Sequence, residues 1–174
     1  MAGRSIFTAR EEGFLRALVD NEVDFLIVGL SAALLQGAPA VTQDIDLWVR
    51  DVRDSGFRRA LKQVGAAYVP QVGLNPPMIA GENVRMFDLV SHMSGLRSFE
   101  DEFASSLKMD LGGVSVRVLP LDRVIASKEA ANREKDRLVL PVLRDAAIAL
   151  RARKTSPRSG PARKRRPPRG RSTK

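Results

Sequence analysis

The stretch at residues 25–49, FLIVGLSAALLQGAPAVTQDIDLWV, decides how the chain folds. Its opening run, Phe25-Leu26-Ile27-Val28, is short, apolar and unbroken, which fits a strand buried on both faces, and Gly29 closes it. Ala32-Ala33-Leu34-Leu35-Gln36 are good helix formers, with Ser31 placed to cap the helix and Gly37 placed to end it. A helix start at the end of a buried strand offers free N–H groups and a partial positive charge, so Gly29 and Ser31 are candidate phosphate-binding residues. A second strand follows in Asp44-Ile45-Asp46-Leu47-Trp48-Val49. Side chains alternate along a strand, so both carboxylates leave from one face, about 6.6 Å apart along the chain.

That pair carries the chemistry. Aspartate is disfavoured inside strands, and two on one face repel unless a cation lies between them. Either Asp44 and Asp46 bind a metal or they sit solvated at a strand end. A third acid, Asp88, stands among apolar neighbours in VRMFDLV, residues 84–90, which reads as a third strand. Oxygen ligands with no cysteine and one histidine point to Mg²⁺ or Mn²⁺ rather than zinc. The P-loop and the Gly-x-Gly-x-x-Gly patterns are both absent. No nucleophilic serine or cysteine motif surrounds His92, which reads as a surface or supporting residue. Trp48 shares the face of the two acids and either walls the site or packs in the core.

The remaining segments supply further helices and strands around these residues. Thr8-Ala9-Arg10-Glu11 fits a capping box for a helix with Phe14, Leu15, Leu18 and Val19 on one face. Asp51 or Asp54 can cap another, carrying Phe57, Leu61 and Val64 and stopped by Gly65. Residues 69–81, rich in Pro and Gly, read as an irregular excursion or a distorted hairpin. Residues 91–105 suggest a short helix with Glu100-Asp101-Glu102 as a solvated face. Gly112-Gly113 fits the turn of a hairpin between residues 108–111 and 114–119. After Pro120, Asp122 can cap a helix that sets Lys128 on its inward stripe, as a phosphate contact or as a lysine reaching past the core edge. Arg133 and Asp136 read as a surface ion pair. A last helix is expected over 138–150, with Pro141 tolerable only near its start.

Composition divides the chain at residue 150. Of 29 Lys and Arg in the whole, eleven fall in residues 151–174 with no acid among them, leaving 18 against 20 acids in residues 1–150. The positive excess belongs to that stretch, which is interleaved with Pro and Gly and reads as a disordered tail or as an arm for nucleic-acid phosphates such as RNA. With no cysteine, no apolar run of transmembrane length and no secretory pattern, a cytoplasmic protein with no membrane association is expected.

Gly29-Leu30-Ser31, then Asp44-x-Asp46, then Asp88 on a later strand resembles the nucleotidyltransferase superfamily with the DNA polymerase β-like palm. More closely, the order of segments is similar to the small bacterial nucleotidyltransferases that include the abortive-infection type toxins of toxin–antitoxin pairs. The similarity runs from about Asp24 to Leu150 and includes Lys128-x4-Arg133-x2-Asp136, which resembles that group's Lys-x4-Arg-x2-Asp helix. The resemblance implies an α+β domain, a palm-like mixed sheet flanked by helices, in which Asp44 and Asp46 hold two Mg²⁺ ions and Asp88 is the third carboxylate, helping to activate an acceptor hydroxyl. Gly29, Ser31, Thr42 and Lys128 would bind the nucleoside triphosphate, with tRNA or protein as acceptor and a cognate antitoxin as partner. The pattern departs from the family at Gln36, where relatives often carry His, and at Ala40, where they often carry an Arg for nucleotide or acceptor.

Overall fold

Residues 7–155 are described in the structure, a computed structural model. The capping box at Thr8 is formed: its side chain accepts from the Glu11 N–H, and Glu11 accepts from the Thr8 N–H at 2.7 Å. Helix α1 (Ala9–Asp20) follows and buries Phe14, Leu15, Ala17 and Leu18. Next come β1 (Phe25–Ile27), α2 (Gly29–Leu35) and β2 (Ile45–Val49). Gly37, with φ +89°, ends α2. Asp54 caps α3 (Ser55–Gln63) by accepting from the Gly56 N–H at 2.7 Å, and Gly65 at φ +69° ends it.

The distorted hairpin expected in the Pro/Gly-rich segment is a two-stranded antiparallel ribbon, β3 (Ala67–Val69) with β4 (Met78–Ala80), separate from the main sheet. A short 3₁₀ turn at Glu82–Val84 then drops Val84 fully into the core, so β5 (Phe87–Val90) starts later than the expected 84–90 strand. Helix α4 (Phe99–Ala104) leads into β6 (Leu107–Leu111) and β7 (Val114–Val118), joined through Gly112 and Gly113 at φ +63° and +82°. Two helices, α5 (Leu121–Ala131) and α6 (Glu134–Thr155), complete the described fold. Asn132, in the left-handed conformation at φ +48°, breaks one from the other.

The main sheet is mixed, with strand order β5-β2-β1-β7-β6. β1 runs antiparallel to β2 and parallel to β7, while β2 runs parallel to β5. Phe25, Leu26, Ile27 and Val28 are all buried, so both faces of the central strand are covered. Helix α1 packs on β7 and α3, α2 packs on β2 and α5, and α5 packs on α6. The result is the expected α+β architecture of a mixed sheet flanked by helices. No helix among the described residues is long and apolar enough to cross a membrane.

Three local expectations are corrected. Helix α2 starts at Gly29, so Ser31 lies inside its first turn and caps nothing. Pro141 sits well inside α6, which begins at Glu134; its cost of roughly 3 kcal/mol in a helix interior is set against burial of Leu140, Leu143 and Ala146 on that helix. Glu102 is fully buried where a solvated acidic face was expected, because Arg97 and Arg123 close over its carboxylate. Helix α6 also runs to Thr155, past the boundary placed at 150, and residues 156–174 of the basic stretch lie outside the described residues.

Candidate active site

The turn from β1 into α2 is built around one close approach. Gly29 has φ +61°, and a Cβ there would stand 2.0 Å from Asp46 Oδ2 and 2.9 Å from its Cγ. Only glycine permits both the backbone conformation and the carboxylate lying against it. Ser31 fixes the same junction from beneath. Its hydroxyl donates to the Val28 carbonyl at 2.8 Å and accepts from the Asp46 N–H at 3.3 Å. Ser31 is 2 % exposed, and its hydroxyl joins α2 to β2. Thr42 is bonded in the same local way: its hydroxyl donates to the Asp44 carbonyl at 2.9 Å and accepts from the Asp44 N–H at 3.3 Å.

Strand register brings the acids together. β2 and β5 are parallel, and Asp46 pairs with Asp88 across the ladder, which sets two carboxylates side by side on one face of the sheet. Asp44 comes just before β2. All three line a single cleft of about 530 Å³ with Gly29, Leu30 and Thr42. The Asp46 carboxyl is pushed up to about 6, first by burial and then by the neighbouring Asp88 charge, with Lys128 working against the rise. Burial and the Asp44 charge likewise raise Asp88. Such crowding of acids is the setting in which a cation lowers the electrostatic cost.

Helices α5 and α6 form the other wall, with Val124, Ser127, Lys128, Arg133, Lys135, Asp136 and Val139. Asp136 is the anchor of that wall. Its side chain is fully buried, receiving Lys128 Nζ at 3.0 Å and Arg133 Nε at 2.7 Å. Burial by itself would raise the Asp136 carboxyl; the hydrogen bonds from Arg133 and Lys128 outweigh it and hold the group below the ordinary range. The pair at Arg133 and Asp136 is therefore no surface ion pair. His92, Met93 and Ser94, from the loop after β5, complete the lining. Trp48 does not line the cleft: it packs edge-on against Phe99, with ring centroids 5.4 Å apart.

The structure thus gathers Asp44, Asp46, Asp88, Gly29, Thr42 and Lys128 at one cleft and leaves Ser31 buried behind it. Lys135, Ser94 and Val139 join the lining without any sequence signal, since their placement depends on the break at Asn132 and on the packing of α6. The donors on the sheet side are all carboxylate oxygens, which suits Mg²⁺ or Mn²⁺. Among the described residues no group of three or more His, Cys, Asp or Glu side chains is disposed to hold a metal by itself. Mg²⁺ commonly takes one or two carboxylates and completes its shell with water and substrate phosphate, so an open set of acids fits that ion.

No family model and no curated protein matches the chain. Solved structures do. The solution structure of the antibiotic-resistance factor ANT(2'')-Ia has a TM-score of 0.52 at 14% identity, over 83% of this chain and 89% of that one. The crystal structure of ANT(2'')-Ia in complex with adenylyl-2''-tobramycin has a TM-score of 0.49 at 12% identity, over 83% of this chain and 96% of that one. The likeness to the first is one of fold alone.

Proposed function

We propose that this chain is a nucleotidyltransferase that moves a nucleoside monophosphate from a nucleoside triphosphate onto a hydroxyl. The observation that carries the reading is the β2–β5 register, which sets Asp46 beside Asp88 and, with Asp44, opposes a carboxylate wall to the cationic wall of Lys128, Arg133 and Lys135 in one cleft. Asp44, Asp46 and Asp88 would hold Mg²⁺ or Mn²⁺, which when bound clamps phosphate oxygens and offsets charge on the departing pyrophosphate. Gly29 leaves bare backbone beside Asp46, where a phosphate can come close. Lys128 keeps two ammonium protons free after its bond to Asp136 and lines the nucleotide side of the cleft. Asp88, its carboxyl raised by burial and by Asp44, is placed to take the proton of the acceptor hydroxyl. The hydroxyl oxygen bonds to the α-phosphorus as the bond to the β-phosphate breaks, and pyrophosphate leaves.

For the acceptor we favour RNA. The eleven basic residues at 151–174, with no acid among them, suit a polyanion and would be superfluous for a small sugar-like acceptor. Transfer to tRNA or to a protein, under restraint by a cognate antitoxin, is the corresponding role for a toxin. The similar structure above is that of an antibiotic-resistance factor, so a small antibiotic acceptor is the class to test beside RNA. A second reading, a catalytically weak palm-like domain that binds RNA or a partner protein through its basic tail, draws on Ala40 in place of the family's Arg.

NTPs labelled at the α-phosphate, offered with Mg²⁺ to total RNA, total protein and an aminoglycoside panel, test these readings together. Metal-dependent label in RNA, lost in Asp46→Asn and weakened at rising salt on deletion of residues 156–174, is the expected result. No label in any fraction, or label that survives Asp46→Asn, sinks the enzymatic reading.

A further inference from the structure

Three cations line the cleft, and they are not equivalent. Lys128 is 14% exposed and held by Asp136, and Arg133 is held by the same carboxylate. Lys135 is exposed, lines the same cleft, and makes no hydrogen bond or ion pair among the described residues. A lysine without a partner on an open surface is ordinary; this one stands beside a site whose opposite wall is three carboxylates. Its position on the helix is also unusual. Lys135 belongs to the first turn of α6, a helix of 22 residues, where a cation opposes the helix dipole and acids are preferred. The acid next to it, Asp136, has its charge already compensated by Lys128 and Arg133. The other acid of that turn, Glu134, does not line the cleft, so the first turn of α6 presents Lys135 to the cleft as its one cation without an ion-pair partner among the described residues, at the positive end of the helix.

Resting on the nucleotidyltransferase reading, we infer that Lys135 is the residue that meets the β- and γ-phosphates of the incoming triphosphate, while Lys128 and Arg133 serve as a wall fixed by Asp136. A flexible lysine with no prior partner can follow the phosphate chain from binding to departure of pyrophosphate without breaking any contact within the protein. A lysine tied to a buried carboxylate cannot travel in that way. Nothing in the Lys-x4-Arg-x2-Asp pattern marks residue 135, which lies inside the x2 spacer.

The probe is inorganic tripolyphosphate with Mg²⁺, which removes the unknown base preference, compared with AMP by titration calorimetry on the full chain. A charge-assisted contact of this kind is worth on the order of tenfold in affinity or more. Lys135→Ala is expected to weaken tripolyphosphate by about that factor and to leave AMP unchanged, with Lys135→Arg restoring most of the loss. Being exposed, the position should tolerate all of these changes with an unaltered melting temperature. Wild-type protein that binds tripolyphosphate no better than Lys135→Ala overturns the role of Lys135 and leaves the nucleotide reading standing. Wild-type protein that binds neither tripolyphosphate nor any of the four NTPs overturns both.

Discussion

Gly29→Ala probes the junction on which the site depends, and its two effects can be separated. The first is backbone strain. At φ +61° an alanine pays about 1–2 kcal/mol for the left-handed conformation, which for a chain of this size lowers Tm by roughly 2–8 °C. The second is displacement. The new Cβ would lie 2.0 Å from Asp46 Oδ2, against 3.4 Å for ordinary contact, so the carboxylate must retreat by about 1.4 Å. The backbone of Asp46 cannot supply that movement easily, because β2 is held between β1 and β5. The side chain must rotate away instead, and a misplacement of about 1 Å costs on the order of 100-fold in rate. Gly29→Asn keeps the collision while easing the strain, since asparagine tolerates this conformation. Gly37→Ala does the reverse: φ is +89° with nothing near the added atom, so it should cost stability and spare activity. Thermal melts and labelled-NTP transfer on the three variants give the answer. A folded Gly29→Ala protein with transfer within twofold of wild type refutes the claim that Asp46 works from its place against Gly29.

Asp46→Asn should raise Tm in EDTA while abolishing transfer. A carboxyl held at about 6 instead of 3.8 destabilises the ion-free protein at neutral pH by on the order of 3 kcal/mol, and added Mg²⁺ should stabilise wild type but not this variant. The pH dependence of stability without metal should pass through a maximum between the unfolded values of 3.8 and 4.5. Asp46 has a raised folded pKa, so its effect favours the folded state at low pH and is lost as pH rises toward about 6. Glu102, depressed chiefly by its hydrogen bond from Arg123, and Asp136 stabilise the fold above their unfolded values of 4.5 and 3.8 and stop doing so as pH falls through their folded values. In urea melts, Asp46→Asn should flatten the neutral side of that maximum and Glu102→Gln the acid side; unchanged slopes would contradict the assignment. Asp136→Asn should lose about 1–3 kcal/mol, the scale of hydrogen bonds to charged groups, and should loosen Lys128, read as a rise in KM for NTP larger than the fall in kcat.

What the sequence discloses is set by the range of the interaction. The Thr8 capping box, the Gly112-Gly113 turn and the helix stops at Gly37 and Gly65 are decided within a few residues of themselves, and each stands where the local chemistry places it. The pairing of Asp46 with Asp88 is visible in outline from alternation along two strands, although only parallel register makes them neighbours. Glu102 shows the limit. In Glu100-Asp101-Glu102 the three acids look alike, and the one that is buried is chosen by Arg123, which arrives from another helix and bonds both carboxylate oxygens, and by the Arg97 N–H at 3.1 Å. Ser31 shows the same limit as a cap. It has the chemistry of one, but the helix starts at Gly29 and its hydroxyl turns inward to Val28 and to the Asp46 strand.

The two walls of the cleft are held by different kinds of force, and this difference decides which can adapt to substrate. Asp46 and Asp88 ride on adjacent strands whose ladder fixes their separation, and Gly29 closes one side of Asp46, so the acid wall has little freedom to change. The cationic wall hangs on a single buried carboxylate. Asp136 joins Lys128 from α5 to Arg133 across the break at Asn132, so the relative placement of the last two helices at the cleft rests on ion pairs to one buried carboxylate, with Arg133 reaching solvent. A triphosphate entering between the walls would compete with Asp136 for the same two cations, whereas Lys135 can receive phosphate with no such competition. A ligand that needs a rigid metal frame and a yielding phosphate grip is served by this division, in which sheet register holds the acids and one ion-paired helix junction holds the bases.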